Sequence, residues 1–245
     1  MIIIFAKKMD KEISSSKLLI LIRHGERCDF TGQVPVFGQY DPELTENGKT
    51  YAFKTGKLIS QKLMKDYEFP QNTKIKIISS PFLRTLQTSR DLIKGFQNEN
   101  YYSVPSTINI DCNLSECIDQ QFNNNMPKIF LNLIHQNDNF VDEFREENLN
   151  FVSSFDALPK KEETYELCGE RLRNFLNMKI PNLVDKDDSD VIIFISHGEP
   201  INRMNMLFGY PGPYGWPHIG YCQSFYYGIS KETKQVTYLE TIKAE

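Results

Sequence analysis

Short aliphatic runs alternate with amphipathic stretches along most of the chain. Residues 18–22 and 191–195 are unbroken apolar runs, which are typical of strands buried on both faces of a sheet. Further strands are predicted at 75–78, at 108–111, at about 221–229 and at 236–241. The pattern therefore predicts a sheet whose central strands are covered on both sides.

Amphipathic helices are predicted between these strands. They span residues 45–64, 81–96, 165–180 and 199–208. Ser80 followed by Pro81 is a strong start signal for the second helix. Glu162 and Glu163 suit the positive end of the third helix, and Pro181 is expected to stop it.

This alternation of strands and helices predicts an α/β fold in one domain, residues 17–245. We expect a three-layer α/β/α sandwich with a mostly parallel central sheet, in which the last strands could run antiparallel. Residues 1–16 are expected to form an N-terminal leader. Their apolar stretch is too short to be a secretory signal. Residues 117–160 show no clean period, and we expect loops that cover the site.

Charge and cysteine content narrow the classes of function. The net charge of -4 provides no basic field for a nucleic-acid backbone, and no segment suggests membrane insertion. The five cysteines form no C-x-x-C pair and no zinc-like spacing with the histidines. We therefore expect reduced thiols, a cytoplasmic location and no metal site.

Unusual polar residues follow three of the predicted strands. Residues 23–27 read Arg-His-Gly-Glu-Arg, Arg84 lies in the first turn after the second strand, and His197 follows the strand at 191–195. Ligands of open α/β sheets bind at the carboxyl ends of strands, so these side chains could converge on one pocket. Arginine forks match phosphate oxygens, and Arg23 and Arg84 are therefore candidate phosphate ligands that need no metal.

A nucleophile and a proton donor can be assigned within this set. An imidazole with a pKa of about 6.5 is available unprotonated near neutral pH, so His24 could attack phosphorus and form a phosphohistidine. Glu116, placed after the third extended segment, is the preferred donor to the leaving oxygen, with a pKa raised by burial and by the substrate. Asp119 or Glu43 could supply that proton instead.

Five motifs in order carry a family resemblance. They are Arg23-His24-Gly25-Glu26, Leu44-Thr45 with Gly48, Ser79-Ser80-Pro81 with Leu83-Arg84-Thr85 and Gln87-Thr88, Leu114-Ser115-Glu116, and Ser196-His197-Gly198. Together they resemble the histidine phosphatase (phosphoglycerate mutase-like) superfamily, branch 1. The resemblance implies a metal-independent and cofactor-free phosphatase with His24, Glu116 and His197 in catalysis. It also implies Arg23, Arg84 and His197 as phosphate ligands.

A finer resemblance points to one branch of this superfamily. The Arg-His-Gly-Glu-Arg string, residues 41–45 and residues 220–222 are similar to the suppressors of T-cell receptor signalling, which act on phosphotyrosine and other phosphoesters. It implies an acid or protein-tyrosine type phosphatase in which Arg27 lines the pocket, although Arg27 could instead pair with Asp29 or Glu26. Glu199 departs from the family pattern. It could bring negative charge near the pocket rim, but we expect it to point to solvent.

Alternative functions remain open from the sequence. The leading hypothesis is hydrolysis of a phosphorylated small molecule or phosphopeptide. A phosphoglycerate-type mutase would return the phosphoryl group to another hydroxyl, and a non-catalytic subunit would use the same fold as a docking surface. A homodimer or a place in a larger complex is compatible with each of these hypotheses.

Overall fold

A seven-stranded sheet forms the centre of the part of the chain that the structure describes. This computed structural model describes residues 16–35, 41–103, 107–117, 150–154, 163–215 and 218–243, with the backbone alone at 150–154. The strands are β1 (Ser16–Arg23), β2 (Ile75–Ser79), β3 (Thr107–Asp111), β4 (Asn150–Ser154), β5 (Val191–Ser196), β6 (Ser224–Ser230) and β7 (Val236–Ile242). Their order is β4-β3-β2-β5-β1-β6-β7, and of these strand pairs only β1–β6 and β6–β7 are antiparallel.

Helices cover both faces of this sheet. They are α1 (Glu46–Lys65), α2 (Leu83–Glu99), α3 (Tyr165–Asp185) and α4 (Gly198–Leu207), with short 3-10 turns at Cys28–Thr31 and Cys112–Leu114. Successive side chains of β1 point to opposite faces, so Leu18 and Ile20 pack beneath α1 and α2, whereas Leu19 and Leu21 pack beneath α3 and α4. The predicted three-layer α/β/α sandwich with a mostly parallel sheet is confirmed.

Two helix boundaries differ from the prediction. Helix α2 begins at Leu83 rather than at Pro81, because the amide of Leu83 donates to both carboxylate oxygens of Asp41, at 2.9 and 3.0 Å. Helix α3 continues through Pro181 to Asp185, so the expectation that this proline stops the helix is wrong. Burial of the next turn, including Leu183 at 2% exposure, offsets the single backbone hydrogen bond that proline removes.

The strands also differ in two places. Strand β4 was not predicted, since it is a five-residue edge strand in a segment without a clear period. Strand β6 begins at Ser224 rather than near Tyr221, because Cys222 has a φ of 53° and lies in a turn. Of the leader expected at 1–16, residues 1–15 lie outside the described residues and Ser16 belongs to β1. Most of the expected cover at 117–160 also lies outside them. None of the helices described here is long and apolar enough to cross a bilayer.

Candidate active site

The carboxyl ends of three adjacent parallel strands bring two histidines together. His24 follows β1, and His197 follows β5 and caps α4. Because β1 and β5 pair in parallel, these ends lie side by side, and the ring centroids of His24 and His197 are 5.3 Å apart. The exposed fractions of His24 and His197 are 1% and 0%. Arg84 reaches the same point from the first turn of α2 after β2.

The protonation state of His24 is set by one hydrogen bond. Its Nδ1 lies 2.7 Å from the carbonyl oxygen of Gly25, which can only accept, so Nδ1 carries the proton. Burial lowers the pKa of His24 well below its usual value, and the positive charge of Arg84 lowers it further. The Nε2 atom therefore keeps a free lone pair, and the ring lines a cavity.

The loop after β1 is held by close backbone contacts. The amide of Gly25 donates to Thr88 Oγ1 at 2.9 Å. A Cβ on Gly25 would lie 2.7 Å from the oxygen of Gly48, and a Cβ on Gly48 would lie 2.5 Å from the oxygen of Glu26. The Thr45 hydroxyl accepts from the Gly48 amide at 2.9 Å and donates to the Glu26 carboxylate at 2.7 Å. Two glycines and one capping threonine thus fix the segment that carries His24.

Arg84 is completely buried at the base of the site. Its Nη2 lies 3.0 Å from His197 Nδ1 and its guanidinium stacks on the Phe82 ring at 4.5 Å. Burial lowers the pKa of Arg84 to about 10. Its Nε and Nη1 atoms have no hydrogen-bond partner among the described residues. Buried donors without partners are rare, and here they suit an anion.

Glu116 lies against both groups at the base. Its Oε2 is 3.6 Å from His197 Nδ1 and 3.9 Å from Arg84 Nη2, and its Oε1 accepts from the amide of Cys117 at 3.1 Å. Burial raises the pKa of Glu116, which suits a carboxyl that donates a proton. Of the other candidate donors, Glu43 hydrogen-bonds the thiol of Cys28. Asp119 lies outside the described residues.

Arg23 lies at the mouth of the site and packs on an aromatic ring. Its Nη1 donates to the carbonyl of Ile219, and the guanidinium carbon is 4.3 Å from the centroid of the Tyr221 ring. Its Nε atom is buried, and within the described chain it has no hydrogen-bond partner. Tyr221 also lies 5.8 Å from the His24 ring, a contact that sequence patterns did not reveal.

Arg27 takes both positions that the sequence left open. Its Nε and Nη2 atoms donate to the two carboxylate oxygens of Asp29, at 3.0 and 2.6 Å. The guanidinium also lies 4.5 Å above the Phe30 ring and lines the cavity beside His24.

A cavity of about 450 Å³ opens above His24 and Glu116. Phe30 and Tyr165 contribute aromatic walls, and Glu163 and Glu199 contribute carboxylates. The expectation that Glu199 points to solvent is wrong, because Arg203, one helical turn away, holds its Oε1 at 2.6 Å and leaves the side chain 11% exposed.

Asp41 is a site residue whose position the sequence did not indicate. One of its oxygens lies 3.5 Å from Arg84 Nη1, and both accept from the amide of Leu83. Burial raises its pKa to about 7, although Arg84 opposes this shift. Only the tertiary structure brings it next to an arginine more than forty positions away.

One cluster has side chains that are common metal ligands. The ligand atoms of Cys117, Glu163 and Cys168 all lie within 4.8 Å of one another. Arg171 donates to both carboxylate oxygens of Glu163, at 2.7 and 2.8 Å, and lies 3.5 Å from Cys168 Sγ. A fixed positive charge at that point opposes a bound cation, so the cluster does not fit a metal.

Comparisons with solved structures identify the fold. The chain resembles an ecdysone phosphate phosphatase from Bombix mori, solved with tungstate, at a TM-score of 0.56 and 14% identity, covering 91% of this chain and 92% of that one. It resembles a phosphoglycerate mutase from Bacillus anthracis at a TM-score of 0.55 and 16% identity, covering 94% of each chain. A putative alpha-ribazole-5'-P phosphatase from Escherichia coli gives a TM-score of 0.52 at 16% identity, covering 94% and 97%.

A family model matches the sequence over most of its length, although a search of individual curated proteins finds no match. The model of the histidine phosphatase superfamily, branch 1, matches residues 19–236, a range that includes every site residue described above. The chain therefore belongs to the histidine phosphatase superfamily, branch 1.

Proposed function

We propose that this protein hydrolyses phosphomonoesters without a metal, through a phosphohistidine on His24. The observation that carries the proposal is the lone pair on Nε2 of His24, next to buried arginine donors that have no hydrogen-bond partner among the described residues. A neutral imidazole can attack phosphorus in line, and guanidinium groups can neutralise the charge that spreads over the equatorial oxygens. The chemistry then needs only a proton for the leaving oxygen.

The phosphoryl group would be held by the three groups around His24. Arg84 and Arg23 supply the free donors, and His197 borders the same position. Glu116 Oε2 now lies against Arg84 and His197, so an arriving phosphoryl oxygen would displace it and leave the carboxyl at the edge of the site. Arg27 would add positive charge at the mouth, partly neutralised by Asp29.

Glu116 would act as the acid and then as the base. Its raised pKa keeps a proton available for the leaving oxygen in the first step. In the second step the resulting carboxylate would take a proton from the water that attacks the phosphohistidine. This reversal of roles needs one carboxyl that stays within reach of both oxygens.

The shape of the cavity supports a phosphatase with an organic leaving group. Phe30 and Tyr165 would flank an aryl or other apolar group, as in a phosphotyrosine peptide or a phosphorylated small molecule. This favours the acid or protein-tyrosine type of histidine phosphatase, and Arg27 at the mouth supports the resemblance to the suppressors of T-cell receptor signalling. A phosphoglycerate mutase must also hold a substrate carboxylate, and around this cavity Arg27, Arg171 and Arg203 are already paired with Asp29, Glu163 and Glu199. The five free cysteines support a reducing compartment such as the cytoplasm.

The test is phosphate release from 4-nitrophenyl phosphate with EDTA present. The wild-type protein should release phosphate, and rapid acid-free quenching should show one added phosphoryl group on the peptide that contains His24. The His24→Ala variant should lose both signals. His218→Ala is the matched control, because this exposed histidine lies outside the site and its loss should change neither signal.

Two results would overturn the proposal. Full activity in His24→Ala would remove the nucleophile, and loss of activity with EDTA that zinc or magnesium restores would remove metal independence. Incubation with phosphoglycerate separates the mutase, which would interconvert isomers faster than it releases phosphate. A protein without activity that purifies in a fixed ratio with partners would indicate the docking role.

A further inference from the structure

We infer that Arg171, on α3, is the positioning residue for the proton donor Glu116. The inference deepens the proposed function and rests on it. It comes from the backbone hydrogen bonds of the segment that carries Glu116, which follows the 3-10 turn at Cys112–Leu114 and belongs to no helix or strand.

Four successive carbonyl groups, two in the 3-10 turn and two after it, accept hydrogen bonds from side chains. Leu114 accepts from the Ser196 hydroxyl at 2.6 Å. The carbonyls of Asn113, Ser115 and Glu116 all accept from the guanidinium of Arg171, the last two at 3.3 and 3.2 Å. Buried backbone groups outside helices and strands need such partners. One arginine therefore supplies three of the four.

Arg171 is itself fixed in place. Its Nε and Nη2 atoms bind the carboxylate of Glu163 in a two-pronged pair at 2.7 and 2.8 Å, and its side chain is only 9% exposed. Such bidentate pairs fix direction as well as distance. The guanidinium thus joins the start of α3 to the donor segment and holds both against the cavity.

This geometry requires a planar fork rather than a positive charge alone. Nη1 reaches Asn113, Nη2 reaches Ser115 and Glu116, and Nε with Nη2 reaches Glu163. A lysine carries one nitrogen on a flexible stem and cannot span these acceptors. Without the fork, the carbonyls would turn to water and the carboxyl of Glu116 would lose its fixed distance from the leaving oxygen.

A misplaced acid affects substrates according to their leaving groups. Phenyl phosphate releases a phenol with a pKa of about 10, which needs a proton as it leaves. The phenol of 4-nitrophenyl phosphate is more acidic and leaves readily without one. The ratio of kcat/KM for these two substrates therefore reports on acid catalysis in the first step, and general loss of folded enzyme leaves the ratio unchanged.

The experiment measures both substrates with wild type, Arg171→Lys, Arg171→Met and Glu116→Gln. We expect kcat/KM for phenyl phosphate to fall about tenfold to a hundredfold in the Arg171 variants, the range that a small misplacement produces. The value for 4-nitrophenyl phosphate should fall no more than about threefold. Glu116→Gln should show the same split to a larger extent. Arg173→Met, at an exposed arginine of the same helix, should show no split.

Each outcome has one meaning. Equal losses on both substrates, or none, in folded Arg171→Lys overturn the positioning role. If Arg171→Met does not fold, Arg171→Lys decides the question, since it keeps the charge and most of the volume. Failure of the wild type to release phosphate from either substrate overturns the proposed function instead.

Discussion

Arg84 donates a hydrogen bond to Nδ1 of His197 across 3.0 Å, and this contact fixes the imidazole as neutral. A guanidinium never accepts, so Nδ1 must carry the lone pair and Nε2 the proton, which it donates to Ser80 Oγ at 2.8 Å. Burial lowers the pKa of His197 well below its usual value, in agreement with this state. The contact also orients Arg84, whose Nε and Nη1 atoms have no hydrogen-bond partner among the described residues.

The first prediction tests this orientation with Arg84→Lys. Lysine keeps the charge but carries all its donors on one nitrogen, so it cannot contact His197 and also reach the positions of Nε and Nη1. We expect kcat/KM for 4-nitrophenyl phosphate to fall by roughly 10²-fold or more, as when one preorganised donor is lost. Inhibition by inorganic phosphate should weaken with it. Arg173→Lys, on the surface of α3, should leave both values unchanged, and a similar result for Arg84→Lys would contradict the role of the fork.

The second prediction concerns the dependence of kcat/KM on pH. Activity needs an unprotonated Nε2 atom on His24 and a protonated carboxyl on Glu116. The pKa of His24 is lowered, so activity should persist on the acidic side of 6.5, and the pKa of Glu116 is raised, so the acid should remain protonated above its usual range. As pH rises further, Glu116 ionises and kcat/KM should fall.

A comparison of pH profiles isolates Glu116 from the substrate, whose phosphate also titrates near pH 6. Wild type and Glu116→Gln share the substrate ionisation, but only the wild type has the carboxyl. With phenyl phosphate, whose leaving phenol needs a proton, the ratio of the wild-type kcat/KM to that of Glu116→Gln should be largest at low pH and approach one at high pH. A constant ratio over the whole range would show that another group donates the proton.

The sequence predicted those parts of the site that depend on local pattern. The aliphatic run of β1 placed His24 at a strand end, and Ser80 with Pro81 placed Arg84 in the first turn of a helix. Parallel strand order then brought the ends together. Asp41 and Arg171 could not be found in this way, because each acts through contacts across more than forty positions of the chain. Such contacts leave no periodic signal.

Helix boundaries were harder to predict for a related reason. Local rules make proline a helix breaker, yet Pro181 lies inside α3 because the following turn buries its apolar side chains. Tertiary packing outweighed the local preference at this proline. The position of Glu199 has a local cause instead, an i,i+4 salt bridge to Arg203 within α4 that keeps the side chain at the cavity wall.

The third prediction tests the backbone contact behind His24 with Gly48→Ala. The new Cβ would lie 2.5 Å from the oxygen and 2.8 Å from the nitrogen of Glu26, and these backbone atoms cannot rotate away. We expect a loss of about 1–3 kcal/mol in the free energy of unfolding, as overpacking costs elsewhere. Because Glu26 follows the His24-Gly25 pair, kcat/KM should fall as well.

Gly169→Ala is the matched control for this substitution. Its Cβ would have Arg203 Cδ as nearest neighbour, at 3.7 Å, which is an ordinary contact. In the interior of α3, alanine should raise the free energy of unfolding by about 0.5–1 kcal/mol. Urea unfolding of both variants checks the pair, and equal effects would show that a Cβ on Gly48 does not clash with the backbone of Glu26.

The fourth prediction uses Asp41 to test how burial and charge compete beside Arg84. Burial raises the pKa of Asp41 from 3.8 to about 7 in the folded protein. Between those two values the folded chain holds a proton that the unfolded chain has released, so this residue lowers stability as pH rises. The loss is complete above about pH 7 and amounts to at most about 4 kcal/mol.

In Asp41→Asn this contribution is absent. We therefore expect the free energy of unfolding of Asp41→Asn, relative to wild type, to rise by about 1–3 kcal/mol from about pH 5 to about pH 8 in urea titrations. A difference that stays constant with pH, or that moves the other way, would mean that Arg84 holds Asp41 ionised and that the pair is a salt bridge throughout this range.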